Sequence, residues 1–189
     1  MMNTANTRHP GRRMTTFIVL LRGVNVGGNN RVPMADLRQA VENAGFANAR
    51  TYVNSGNLVM DGKGTPAGVE EAIEAIVAKH FKVDVPVVVR TADQWPAYVK
   101  GNPFPTAEAK FVQLGLSKSP PASASCANAI QERAAEGEQV KVVGDAVWIH
   151  FVQGVGKSKL TPAFLDKAAG SPLTMRNWNT VQELAKLST

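Results

Sequence analysis

The stretch TFIVLLRGVNVGGNNRVP, residues 16–33, decides how the chain folds. Its first seven residues form a continuous apolar run rich in β-branched side chains, too short for a helix and closed by glycine and asparagine. That combination predicts a buried strand. Pro33 suits the first position of a helix, and Met34, Leu37, Ala40, Val41 and Ala44 then share one face at helical spacing. Gly45 followed by Phe46 reads as the helix stop with its hydrophobic clasp.

Further along, RTYV (50–53) and NLVM (57–60) flank Asn54-Ser55-Gly56, which is hairpin chemistry because Gly56 takes the positive φ of a tight turn. Thr65-Pro66 opens a second helix as N-cap and first residue, with Val69, Ala72, Ile73, Ile76 and His80 on one face. VPVVVR (85–90) supplies a fourth strand. The order so far is βαββαβ.

Trp95-Pro96, Gly101, Pro103 and Pro105 then fit a short helix followed by a linker. The second half repeats the order: strand KFVQLGLS, a helix near Ser123 to Ala134, strand QVKVV, turn Gly144-Asp145 and strand AVWIHF. Thr161 caps a further helix begun by Pro162, clasped by Leu160 against Leu165 and closed by Gly170. LTMRN completes the second set of strands, and Val181, Leu184, Ala185 and Ser188 mark a last amphipathic helix with Asn179 as its expected cap. The expected fold class is α+β: tandem ferredoxin-like subdomains over residues 14–101 and 102–189, each an antiparallel four-stranded sheet with helices on one face.

Composition agrees with a folded chain: 44% of the 189 residues are hydrophobic and 19% charged. Residues 1–13, MMNTANTRHPGRR, carry no acid and no apolar run, and read as a disordered basic tail without a signal peptide's hydrophobic stretch. No apolar run approaches the ~20 residues of a membrane span, so no membrane partner is expected. The single Cys126 excludes an internal disulfide, and the expected address is cytoplasmic. Half of the net charge of +6 lies in the tail: without Arg8, Arg12 and Arg13, 18 of the 21 basic residues remain against 15 acidic ones. The folded part is only mildly basic.

The blocks LLRGVNVGGNNRVPMADLR, RTYVNSGNLVM, GVGKSKLT and TMRNWNTVQEL, in this order between Thr16 and Leu187, resemble the bacterial domain-of-unknown-function family 1697. The resemblance implies a pair of ferredoxin-like subdomains, in agreement with the pattern of strands and helices. It implies no activity.

Chemistry-bearing residues gather in four places. The loop from Arg22 to Arg31 joins a buried strand to a helix start. Gly27 and Gly28 permit close approach of an anion, Asn25, Asn29 and Asn30 are candidate ligand-binding residues of the same loop, and Arg22 and Arg31 supply charge-assisted hydrogen bonds to a phosphate or carboxylate. The alternative is a structural turn in which the asparagine side chains satisfy the backbone. Gly154-Val155-Gly156-Lys157-Ser158-Lys159 ends in the letters of a P-loop, but Phe151 stands where the first glycine is required and Thr161-Pro162 delays the helix. There the expectation is a simpler anion contact by Lys157, Ser158 and Lys159, or a solvated basic loop. In Arg176-Asn177-Trp178-Asn179 the tryptophan reads first as a core anchor and second as a ligand contact. Asn54, Ser55 and Asn57 are a hairpin turn first and a site second.

His9, His80 and His150 have no partner at motif spacing, so neither metal nor cofactor is expected and no catalytic residue is assigned. Three functional readings follow. Binding of a small anionic ligand by these loops between the subdomains leads. A non-catalytic protein-interaction module and nucleic-acid binding on a sheet face are the alternatives, the last poorly served by Phe17 alone on one sheet and by Trp148 and Phe151 on opposite faces of one strand. Oligomeric state is left open.

Overall fold

The computed structural model describes residues 13–118 and 123–189. The basic tail, apart from Arg13, lies outside the described residues. The elements run β1 (Thr15–Leu21), α1 (Met34–Asn43), β2 (Ala47–Tyr52), β3 (Asn57–Gly62), α2 (Pro66–Phe81), β4 (Val87–Thr91), α3 (Trp95–Lys100), β5 (Val112–Ser117), α4 (Ser123–Arg133), β6 (Gln139–Val143), β7 (Ala146–His150), α5 (Pro162–Ala169), β8 (Leu173–Asn177) and α6 (Trp178–Leu187). All strand pairs are antiparallel, in the orders β2-β3-β1-β4 and β6-β7-β5-β8. These are two tandem ferredoxin-like subdomains, and the Pro-rich stretch 101–105 falls between α3 and β5.

The apolar run of β1 is explained by its two faces. Phe17, Val19 and Leu21 pack on Leu37 and Val41 of α1 and Val69, Ile73 and Val77 of α2. Ile18 and Leu20 point the other way, into a second core shared with Val112, Leu114 and Leu116 of β5, Trp148 of β7, Trp95 and Tyr98 of α3, and Val181 and Leu184 of α6. The sheets therefore face each other across this middle layer. A third core lies under α4 and α5, around Ile130, Ile149, Phe151 and Leu165. Helices cover one outer face of each sheet, as expected, and the other face is buried as well. Each fully buried Leu, Ile or Phe contributes about 1.5–3 kcal/mol.

Edge strands are closed by helix carboxylates. Glu70 and Glu74 of α2 accept from the N–H groups of Val89 and Val87 on edge strand β4, both at 2.9 Å, and Asp166 of α5 accepts from Leu173 N on edge strand β8 at 2.8 Å. This accounts for a difference from the expected face of α2: Glu70 and Val77 are buried there, whereas His80 is exposed. Thr65 and Thr161 cap α2 and α5 as expected. The cap of α6 is Asn177, which accepts from Thr180 N at 2.9 Å, and not Asn179. The chain passes from β8 into α6 with no intervening loop, so the last strand residue is already the cap.

Two arginines cross between the subdomains in matching ways. Arg90, fourth residue of β4, donates Nη1 to the preceding carbonyl of Val89 and Nη2 to the carbonyl of Ser117, which ends β5. Arg176, fourth residue of β8, donates Nη1 to the preceding carbonyl of Met175 and Nη2 to the carbonyl of Leu21, which ends β1. Each Nε then reaches a hairpin of the opposite subdomain: Arg90 meets Asp145 at 3.1 Å, and Arg176 meets Asn57 at 2.5 Å. The halves are related by an approximate internal two-fold axis.

Candidate functional site

The segment after β1 is a small self-bonded hairpin. Asn25 donates to Val32 O and Asn54 O and accepts from Val32 N, while Asn30 donates to Gly23 O. At its tip Asn29 N meets Val26 O at 3.0 Å, and Gly27 and Gly28 take φ of +59° and +81°, the conformation that a two-residue primed turn demands. The asparagine side chains thus fix the loop's backbone, which projects Val26 and Gly27–Asn30 into solvent.

Two hollows flank this hairpin. On one side, Asn25, Asn54 and Arg31 line a polar hollow of about 640 Å³ with Arg38 and Thr51, and Arg38 donates to Thr51 Oγ1 at 2.6 Å. On the other side is a cleft of about 460 Å³ between the subdomains. Its first-subdomain wall is Arg22, Gly23, Val24, Val26 and Ser55, and its second-subdomain wall includes Phe151, Val155, Leu160, Leu165, Met175 and Arg176. The loop after β1 and the loop before α5 therefore converge on one cleft.

Arg22 stands at its edge, one-quarter exposed, with Nη2 2.8 Å from Asp166 and Nε donating to Leu173 O at 3.2 Å. Arg176 is buried in its wall. Besides Asn57, Leu21 and Met175, it donates to Thr174 Oγ1, Ser55 O and Gly56 O, so every guanidinium nitrogen is bonded. Burial pulls its pKa down to about 10, which leaves it cationic at neutral pH. The floor is apolar, with side chains of the third core rising into it.

Of the residues singled out from sequence, Arg22, Ser55 and Arg176 meet at the cleft, and Asn25, Asn54 and Arg31 meet at the neighbouring hollow. Asn57 is a buried strut that holds Arg176 and donates to Tyr52 O and Ser55 Oγ. Lys157 and Lys159 are exposed; a 3-10 turn over Val155–Lys157 presents Val155 to the cleft instead. Ser158 is used locally, donating to Glu138 and accepting from Leu160 N. Asn177 caps α6, and Trp178 packs against Trp148 with ring centroids 5.7 Å apart. Sequence patterns did not reveal the apolar lining, nor Asp166 as the partner of Arg22.

A family model described as a protein of unknown function, DUF1697, matches residues 14–148. The chain belongs to this family. Two of the four sequence blocks lie within the matched region, while the loop before α5 and the β8–α6 junction follow it. The structure of the conserved bacterial protein SP0830 from Streptococcus pneumoniae is similar over 94% of this DUF1697 chain and 100% of that one, with a TM-score of 0.72 and 22% identity. That likeness is one of fold. No curated protein matches. Among the described residues no helix is long and apolar enough to cross a membrane.

Proposed function

We propose that this chain binds a small anionic ligand, phosphate- or carboxylate-bearing, in the cleft between its subdomains. The observation that carries the reading is convergence: Arg22 and Ser55 from one subdomain and Arg176 and Val155 from the other line a single space of about 460 Å³. That volume is in the range of small-molecule sites, roughly 300–1,000 Å³, in which a few polar groups orient a ligand against apolar walls. Arg22 is the group able to exchange partners, because its ion pair with Asp166 is partly solvated. The base-stacking alternative draws less support, since Phe17 and Trp148 are both buried inside the protein. A cytoplasmic setting fits the one cysteine, Cys126, a buried free thiol whose pKa burial raises.

Thermal melting of the purified chain tests this. Inorganic phosphate, ribose 5-phosphate, AMP, benzoate and octanoate are the probes. At least one raises Tm by about 5 °C or more near a hundredfold excess over its Kd. Arg22→Ala removes that shift. A panel that leaves Tm unmoved overturns the reading.

A further inference from the structure

We infer that the occupant of the cleft is a monocarboxylate with an apolar body, held where its single negative charge balances Arg176. The inference rests on the anion-binding reading above and narrows it. The argument comes from the internal two-fold relation. Arg90 and Arg176 occupy corresponding strand positions, donate to carbonyls at corresponding positions and reach the corresponding end of the opposite hairpin. They differ in what they find there. Arg90 meets the Asp145 carboxylate, 2.9 Å from its Nη2, and its charge is neutralised within the chain. Arg176 meets the Asn57 amide. Among the described residues no carboxylate lies within ion-pair distance of it.

A buried guanidinium without a counter-charge is costly, and its field reaches far in an apolar setting. Of these two arginines Arg176 carries the uncompensated charge, and it lines a cleft. The other charged pair at the cleft, Arg22 with Asp166, is neutral as a unit. The site therefore offers a net charge of one, which a carboxylate satisfies. A phosphate dianion would overshoot it among Val24, Phe151, Leu160, Leu165 and Met175. Because the nitrogens of Arg176 are already bonded to carbonyls, amide and hydroxyl, the ligand's carboxylate acts on it through proximity of charge, and the apolar body fills the space below. No bond is made or broken in this step.

The Met175 methyl in the cleft, with Met34 in the neighbouring hollow as control, supplies the readout by methyl NMR of methionine-labelled protein. Octanoate shifts Met175 and leaves Met34 in place, and octan-1-ol binds at least about tenfold more weakly. Asn57→Asp places a carboxylate on Arg176 as Asp145 does on Arg90, and weakens octanoate about tenfold. Asp145→Asn, at the opposite junction, leaves octanoate binding unchanged. Should Asn57→Asp fail to fold, the octanoate-to-octanol ratio in the unaltered chain decides alone. Equal binding of octanol, or tighter binding of octyl phosphate than of octanoate, overturns the inference. If inorganic phosphate or AMP still raises Tm through Arg22, the inference fails while the anion-binding reading stands; if no anion acts, both fail.

Discussion

Tyr98 donates its phenolic proton to both carboxylate oxygens of Asp145, at 2.9 and 3.0 Å, and accepts from Arg90 Nε at 3.0 Å. Burial is the main cause that pushes its pKa up to about 12 from an ordinary 10.0, with the Asp145 charge adding to the rise and Arg90 opposing it. The folded state therefore prefers the neutral phenol. Its contribution to stability is complete below the unfolded value near pH 10 and is lost as pH rises from there through 12. Tyr98→Phe, which has no proton to lose, flattens the alkaline limb of a pH–stability profile across that window. It also lowers stability at pH 7 by about 1.5–3 kcal/mol through the lost hydrogen bonds to charged groups. At this scale the sequence was informative about residue type but not about partners. Arg22 and Arg176 stood out as cations beside polar loops, yet the contrast between Asn57 and Asp145 depends on contacts 119 and 55 residues apart, for which local spacing holds no signal.

The β2–β3 hairpin is the element on which the site depends most. Gly56, at its turn, has a φ of +77°, and a Cβ there would stand 2.6 Å from Val24 Cγ2, 2.8 Å from Leu21 Cβ and 3.0 Å from Leu21 O. Left-handed strain and overpacking against backbone act together, so Gly56→Ala costs about 2–4 kcal/mol, read from the urea midpoint at constant m. The same carbonyl that accepts from Leu21 N also accepts from Arg176, so the substitution reaches the subdomain junction as well. Elements with strong local chemistry were legible: Thr65-Pro66 and Thr161-Pro162 start helices, and Gly56 and Gly144 turn hairpins. Asn177 and Asn179 are equally competent caps two residues apart. What selects Asn177 is the end of the pairing between β8 and β5 at Gln113, a tertiary fact. Glu70, outside the apolar face expected for α2, is buried because an edge strand takes its carboxylate.

The middle core makes one folding unit of two subdomains. Ile18, Leu20, Val59 and Val88 of the first sheet and Val112, Leu114, Leu116 and Trp148 of the second bury one another, with Trp95 donating to Val181 O at 3.0 Å across the layer. Unfolding therefore follows a single transition, in which tryptophan fluorescence and far-UV circular dichroism give coincident midpoints in urea. Two separated transitions would show that each half holds its own core. The repeated topology was readable from strand order, whereas the face-to-face packing was not. The continuous apolar run of β1 carried a sign of it, since a sheet covered by helices on one side alone needs no apolar residues on the other.

The crossed arginines carry one more implication. Each half supplies a side chain that completes the other half, and the link through residues 101–111 adds Phe104 to the shared middle core. Two complementary fragments cut within this link keep both arginines and both sets of acceptors, and are expected to reassociate. The two junctions are then unequal in one respect: that of Arg90 holds its own counter-ion, and that of Arg176 does not.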